Sequence, residues 1–269
     1  MTQFHRFGLG TYELEGEQCT ESVATALDAG YRHVDTAQGY DNEREVAAGI
    51  ERSSVAREDV FLATKLSTEH LGYEAAVETA RASADRLGVD TIDLLYVHWP
   101  IDSYDAPETC RALNDLHAEG LIDHVGLSNF RPDQLDTAHA HLDVPIFAHQ
   151  VECHPLLPQA DLREYAREDD HWLVAYSPIA RNRVAEVPEI VAVADEHDAT
   201  PAQVALAWLL SKECVAAIPK ATSETHVREN LAATELSLPA ETLARVDAIE
   251  ERERIVDFER APWNAVADD

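Results

Sequence analysis

The sequence contains very little lysine and little positive charge of any kind. Its three lysines, Lys65, Lys212 and Lys220, stand beside 18 arginines, and 21 basic residues face 51 acidic ones, which gives a net charge of −30. Nucleic acids and anionic membranes are polyanions that such a surface repels. The composition therefore argues against both as partners and favours a small molecule.

The same imbalance predicts adaptation to concentrated salt. At about 1 M salt the Debye length falls to about 3 Å, so repulsion among surface carboxylates is screened. An excess of acids, with arginine in place of lysine, is the pattern that we expect of a salt-accumulating cytoplasm. We predict a halophilic protein that loses structure in dilute buffer; an ordinary acidic cytosolic protein is the alternative.

Cysteine is scarce, and long apolar runs are missing. The four cysteines are far apart and form no CxxC pair, which argues against a disulfide framework and a zinc knuckle. No apolar run reaches the roughly 18 residues of a membrane span, and the first residues show no signal-peptide pattern. We expect a soluble cytoplasmic protein, with a monomer as its default state.

What the sequence does have is a regular alternation of short apolar segments with longer amphipathic ones. Eight such units in about 250 residues fit a (β/α)8 TIM barrel of parallel strands better than an open doubly wound sheet. No linker interrupts the pattern, so we predict one domain over residues 1–269, with a C-terminal helix and tail at about 239–269. The predicted strands are 7–12, 31–35, 60–65, 92–98, 124–128, 146–151, 172–176 and 215–219.

Polar or aromatic side chains stand at the carboxyl end of every predicted strand. In a barrel of this kind ligands bind at that end. One such residue alone is often structural, but eight that converge on one mouth predict a ligand pocket. They are Thr11 with Tyr12, Asp35 with Tyr40, Lys65, His98, Ser128 with Asn129, Gln150, Tyr176, and Lys220.

Four of these residues, Asp35, Tyr40, Lys65 and His98, are suited to moving a proton. A phenol has a reference pKa of about 10, which makes it a weak acid at neutral pH. An ammonium group beside it favours the phenolate, and a carboxylate holds that ammonium in place. The alternative is that each of the four residues has a separate structural role. Lys65 argues against this alternative, because the chain contains only two other lysines.

Eight segments also occur in a fixed order: FGLGTYEL, GYRHVDTAQGYDNE, ATKL, YVHWP, GLSNF, HQVECHP, AYSPI and IPKATS. In this order they resemble the aldo-keto reductases over residues 7–263. The likeness is greatest to short-loop prokaryotic members similar to 2,5-diketo-D-gluconate reductases. It implies an enzyme that binds an extended nicotinamide cofactor without a GxGxxG loop and reduces aldehydes or ketones to alcohols.

The resemblance gives each residue of the proton-handling set a role. It implies that Tyr40 is the general acid that protonates the carbonyl oxygen. Lys65, in a salt bridge with Asp35, is then expected to lower the pKa of Tyr40, and His98 to orient the carbonyl. The aromatic positions that match the family's substrate pocket are Tyr12 and Trp99.

The resemblance also implies where the nicotinamide lies. Ser128, Asn129 and Gln150 match the positions that hold its carboxamide. Tyr176 matches the aromatic residue on which the ring stacks, and Ser177, which follows it, is also expected to bind the cofactor.

The adenosine end of the implied cofactor site departs from the family pattern. His226 stands where many members carry an arginine for the 2′-phosphate, and Ala221 replaces the usual serine. These departures leave NAD(H) open, although Lys220 and Thr222 still favour NADP(H). The residues that match the phosphate and adenine contacts are Lys220, Thr222, His226, Glu229 and Asn230.

Several alternatives stay open. The small carbonyl substrate could be a keto sugar acid, methylglyoxal, an aryl aldehyde or a sugar. The same fold could serve as a non-catalytic cofactor-sensing subunit, or as an NAD-dependent alcohol or polyol dehydrogenase. The 13 histidines lack the spacing of a metal site, so no metal is expected.

Overall fold

Eight parallel strands form one sheet in chain order, as the alternating pattern predicts. The computed structural model describes residues 2–264, so the last five residues of the predicted tail lie outside the described residues. Each strand pairs with the next strand in the chain. The strands are β1 Leu9–Gly10, β2 His33–Asp35, β3 Phe61–Leu66, β4 Ile92–Val97, β5 Ile122–Ser128, β6 Ile146–Glu152, β7 Trp172–Tyr176 and β8 Val215–Ala217.

Helices follow the strands and cover the outside of the sheet. After β7 the chain forms a 3-10 segment and then a helix that begins with Pro in its first turn. The helix predicted after residue 239 is present. The helices are α1 Gly16–Ala29, α2 Glu43–Arg52, α3 Tyr73–Leu87, α4 Ala106–Ala118, α5 Pro132–His139, α6 Ala160–Glu168, α7 Pro188–Glu196, α8 Pro201–Leu210, α9 Glu224–Ala232 and α10 Ala240–Asp247.

Local sequence explains why these elements form. Every residue of β3 and β4 is buried, as expected for parallel strands that helices cover on one face and side chains fill on the other. Helix α8 begins with the capping box that its sequence predicts. The Thr200 hydroxyl accepts a hydrogen bond from the Gln203 amide at 3.2 Å, and the Gln203 side chain accepts one from the Thr200 amide at 2.9 Å.

The segment that leads into β1 lies beside β8. Phe7 and Ala217 form a parallel bridge, the Gly8 amide donates to the Ala217 carbonyl at 3.0 Å, and the Ala217 amide donates to the Arg6 carbonyl at 2.8 Å. A Cβ atom at Gly10 would lie 2.7 Å from the Ile218 carbonyl oxygen. Glycine is therefore required here, because the two backbones approach too closely for any side chain.

Aromatic rings fill the interior at the amino ends of the strands. The Phe4 ring lies 5.1 Å from that of Phe61 and 5.3 Å from that of Phe147, in edge-to-face contacts. The Trp172 ring lies 5.2 Å from Phe4 on the other side. We call this group, with His33 and His124 against it, the amino-end cluster.

Among residues 2–264, no helix combines the length and the apolar character that crossing a membrane requires.

Candidate active site

A buried ion pair forms the base of the site. Lys65, near the end of β3, is fully buried, and Asp35, at the end of β2, is only 2% exposed. The Lys65 ammonium donates to the Asp35 carboxylate and, at 2.8 Å, to the Thr36 carbonyl. Gln150 of β6 donates to the other carboxylate oxygen at 2.7 Å. Both charges are thus compensated by direct hydrogen bonds, which buried ions require.

Tyr40 enters the site from the turn after β2. The Gln38 side chain holds this turn, because it accepts from the Ser67 amide at 2.9 Å and donates to the Thr79 carbonyl at 3.0 Å. The Lys65 ammonium lies 5.1 Å from the centre of the Tyr40 ring. The His98 ring lies 5.7 Å from it. The predicted proton-handling set is therefore assembled around one phenol.

The electrostatics of Tyr40 differ from the sequence prediction. Burial, and then the negative charge of Asp35, raise the pKa of Tyr40 well above its usual value of 10. The net lowering expected from Lys65 is not observed, because burial and the Asp35 carboxylate outweigh the ammonium group. The phenol therefore stays protonated at neutral pH, which is the state that a proton donor needs.

His98 is neutral in this setting. Burial, helped by the positive charge of Lys65, lowers the pKa of His98 to about 3. The carbonyl of His98 accepts a hydrogen bond from the Asn129 side chain at 3.0 Å. A neutral imidazole can donate one hydrogen bond to a bound oxygen without adding charge to the cavity.

The predicted nicotinamide residues lie on the neighbouring strands β5, β6 and β7. Asn129 has a left-handed backbone with φ of 65°, and its amide donates to the Gln150 carbonyl at 3.0 Å. The Tyr176 hydroxyl donates to the Asn129 side-chain oxygen at 2.9 Å, and the Asn129 side-chain nitrogen donates to the Ser128 hydroxyl at 2.9 Å. Amides, a hydroxyl and an aromatic ring in one place fit the carboxamide and the flat ring of a nicotinamide.

One cavity of about 510 Å³ joins these two groups. Lys65 lies directly behind its lining, bonded to Asp35. The cavity also includes residues that are not among the predicted ones: Gly10, Glu13, Pro178, Ile179, Arg181, Ile218 and Val256. The predicted residues that line it are Thr11, Tyr12, Asp35, Tyr40, His98, Trp99, Ser128, Asn129, Gln150, Tyr176, Ser177 and Lys220.

The remaining predicted residues lie outside this cavity, on or just before α9. Thr222 and His226 are exposed near the N-terminus of that helix, where the Ser223 hydroxyl caps the His226 amide at 3.2 Å. Glu229 is half-buried, and Asn230 is 5% exposed. These four residues are therefore next to Lys220 along the chain but do not share the cavity with Tyr40.

The outer end of the cavity holds an ion pair that the sequence did not reveal. The Lys220 ammonium lies 3.2 Å from the Glu13 carboxylate, and both side chains are partly exposed. The Arg181 guanidinium lies 5.9 Å from the centre of the Tyr12 ring. Three loops, after β1, β7 and β8, thus meet at this end of the cavity.

Two buried histidines outside the site, His149 and His154, contact other residues of the protein. His149 accepts from the Phe130 amide at 3.2 Å, and burial lowers its pKa to about 3. His154 contacts Glu152 at 2.9 Å. Within residues 2–264, no cluster of three or more His, Cys, Asp or Glu side chains is arranged to hold a metal ion.

Comparison with known proteins agrees with this geometry. The model of the Aldo/keto reductase family matches residues 6–251. The glyoxal reductase of Bacillus subtilis is 37% identical over 93% of this chain and 90% of its own, and an aldo-keto reductase of Mycolicibacterium smegmatis is 35% identical over 92% and 90%. The crystal structure of a protein described as 2,5-diketo-D-gluconic acid reductase B superposes with a TM-score of 0.91, at 35% identity, over 95% of this chain and 92% of the other.

Proposed function

This chain belongs to the aldo/keto reductase family and is an oxidoreductase that reduces carbonyl groups with a nicotinamide cofactor; on that premise we propose which of its residues do so. The proposed catalytic residues are Tyr40, His98, Lys65 and Asp35. The observation that carries this assignment is the single cavity in which Tyr40 and His98 face the nicotinamide-type residues of β5, β6 and β7. Proton donor and ring-binding groups must be neighbours for such a reaction.

The bound cofactor supplies the hydride that adds to the carbonyl carbon. Tyr40 donates the phenolic proton to the carbonyl oxygen, and His98 holds that oxygen by a hydrogen bond from its neutral ring. The Lys65 ammonium, 5.1 Å from the centre of the Tyr40 ring, stabilises the phenolate that remains. Solvent entering the open cavity then restores the proton to Tyr40.

The described residues fit a nicotinamide cofactor along the whole length of the cavity. We propose that Ser128, Asn129 and Gln150 bind the carboxamide and that Tyr176 lies against the ring. At the other end, Lys220 precedes the N-terminus of α9 by four residues. An ammonium and a helix N-terminus both favour a phosphate group.

We propose NADP(H) as the preferred cofactor, because Lys220 lines the cavity and also lies four residues before that helix N-terminus. Thr222 and His226 are exposed there and are the proposed neighbours of the 2′-phosphate. Glu229 and Asn230, further along α9, are the proposed adenine contacts. One observation favours NAD(H): Lys220 is paired with Glu13. The 2′-phosphate of NADP(H) must displace the Glu13 carboxylate from Lys220, whereas NAD(H) has no such phosphate.

The substrate is proposed to be a small aldehyde or dicarbonyl compound. Tyr12 and Trp99 line the cavity, and Tyr12 packs edge-on against Tyr40 at 5.2 Å. These rings form an apolar wall beside the proton donor. The similarity to a glyoxal reductase supports the same substrate class.

We further propose a closed barrel, a single domain, a monomer and a salt-adapted cytoplasmic enzyme. The hydrogen bonds between β8 and the segment that leads into β1 support closure. A net charge of −30 supports salt adaptation, since dilute buffer leaves the repulsion among carboxylates unscreened.

The deciding experiment is steady-state oxidation of NADPH and, separately, NADH, with methylglyoxal and an aryl aldehyde in about 2 M KCl. Turnover with NADPH that falls in dilute buffer is the expected result. Turnover with NADH alone would overturn the proposed cofactor preference. Binding of both cofactors without turnover of any carbonyl compound would overturn the catalytic assignment and favour the sensing-subunit role.

A further inference from the structure

We propose that Glu152 is a positioning residue that fixes the C-terminal strap, residues 249–258, as a wall of the substrate cavity. The inference rests on the proposed reductase function, because it concerns where the carbonyl compound binds. Glu152 is the last residue of β6, and its side chain is fully buried. The proposed reaction assigns this carboxylate no chemical step.

Glu152 makes two hydrogen bonds to the backbone of the strap. One carboxylate oxygen accepts from the Ile255 amide at 2.6 Å, and the other accepts from the Val256 amide at 2.7 Å. The strap contains no helix or strand. One backbone hydrogen bond, from the Glu253 amide to the Leu156 carbonyl at 3.0 Å, also holds the strap. Because it belongs to no ladder of such bonds, the position of the strap depends on side-chain contacts as well.

Both oxygens of the Glu152 side chain act as acceptors toward the strap. His154, also fully buried, contacts the first oxygen through its Nε2 atom at 2.9 Å. An amide in place of the carboxylate would turn a donor toward one of the strap amides. Two acceptor oxygens on one buried side chain therefore fix two successive amides of the strap.

The anchored strap reaches the substrate side of the cavity. Val256 lines the cavity directly. The Phe258 ring packs edge-on at 4.9 Å against Trp99, which also lines the cavity. Two residues before Glu152, on the same face of β6, Gln150 donates to Asp35. One strand therefore holds the base of the site through Gln150 and its wall through Glu152.

The test replaces Glu152 by Gln, which keeps its size but turns an NH₂ group toward a strap amide. We expect the KM for the carbonyl substrate to rise about ten-fold, the equivalent of one lost charged hydrogen bond. The cofactor Kd, from quenching of protein fluorescence, is expected to stay within about two-fold. Hydrogen exchange at the amides of Ile255 and Val256 should accelerate by about ten-fold or more.

Two further variants separate anchoring from loss of charge. Glu152→Asp keeps both acceptors on a shorter side chain and should lie between wild type and Glu152→Gln. Glu251→Gln removes the same charge from the same strap, and the Glu251 side chain is exposed and makes no ion pair with the described residues. It should leave the KM and the amide exchange unchanged.

A folded Glu152→Gln protein with a wild-type KM and slow exchange at both amides would overturn the proposal. If that variant does not fold, the wild-type chain still decides. The amides of Ile255 and Val256 must then exchange more slowly than that of Asp257, which has no hydrogen-bond acceptor among residues 2–264. A wild-type chain that reduces no carbonyl compound would refute the proposed function, whereas the exchange comparison would still report on the anchor.

Discussion

The two ends of the eight strands have opposite characters, although the same strands supply both. β3 begins with Phe61 in the amino-end cluster and carries Lys65 beside Asp35 near its other end. β7 begins with Trp172 against Phe4 and ends with Tyr176 in the cavity. One end is packed with rings, while the other opens into a cavity of about 510 Å³. On both strands, the residue that packs in the amino-end cluster and the residue at the active site are only four positions apart.

The two ends also treat buried polar groups differently. At the amino end, burial lowers the pKa of His33 to about 4, so the ring is kept neutral. At the carboxyl end, two charges are kept and paired, since Lys65 bonds directly to Asp35. A buried group that stays neutral avoids the cost of burying a charge, which stabilises the core. A buried charge that is paired can still act on charge that develops during the reaction.

Lys65→Met is the change with the largest expected effect, because it damages both properties at once. It leaves Asp35 buried without its cation, which should lower the free energy of unfolding by about 3–5 kcal/mol. It should also abolish most carbonyl reduction. Urea unfolding and steady-state kinetics measure the two losses. Lys212→Met is the matched control, since Lys212 pairs with the partly exposed Asp247 and should cost about 1 kcal/mol or less.

Phe61→Ala tests whether the amino end contributes stability alone. Removing this ring from contact with Phe4 and His33 should lower the free energy of unfolding by about 3–5 kcal/mol. The kcat/KM of the folded fraction should stay within about two-fold of wild type. A large fall in kcat/KM under conditions where circular dichroism shows a folded protein would mean that the two ends are coupled.

The pH dependence of stability should report the buried neutral histidines. The pKa of His33 in the folded protein, about 4, lies below its usual value of 6.5. Between these values the unfolded chain binds the extra proton, so stability present above pH 6.5 is lost as the pH falls toward 4. In His33→Phe, the free energy of unfolding should fall by about 1.4 kcal/mol less per pH unit over this range than in the wild type. Unfolding experiments at constant salt measure this slope. An unchanged slope would contradict the assignment.

Glu13→Gln, at the outer end of the cavity, is the change with the smallest expected effect. It frees Lys220 from an exposed ion pair, so NADPH should bind about two- to five-fold more tightly, while NADH should not. Cofactor titrations by fluorescence quenching measure both constants. Glu15→Gln removes an equal charge from an exposed residue nearby and serves as the control. Equal gains for both cofactors would show that only the general charge matters.

The sequence predicted most of the open end because parallel strands bring their carboxyl ends together. That rule alone placed Asp35, Lys65, His98 and Gln150 near one another, and the structure bonds three of them directly. The alternation of apolar and amphipathic segments predicted eight parallel strands, which the structure contains. The helix after β7 was not predicted, although Pro188 and Glu189 are good residues for a first helical turn.

Other features could not be predicted, for identifiable physical reasons. The contact between Glu152 and Val256 spans 104 residues and involves a segment without periodicity. The pair of Glu13 and Lys220 spans 207 residues between two loops. The direction of the Tyr40 pKa shift depends on burial and on Asp35, and a list of neighbouring residue types does not give burial.

The most direct test of the central claim is Tyr40→Phe, measured for both reduction and cofactor binding. The account predicts a fall in kcat of about 10²–10⁴-fold, because the proton donor is lost. It also predicts an unchanged cofactor Kd and an unchanged free energy of unfolding, since the Tyr40 hydroxyl makes no hydrogen bond within residues 2–264. A variant that keeps a large share of the wild-type kcat would contradict the assignment of Tyr40 as the proton donor.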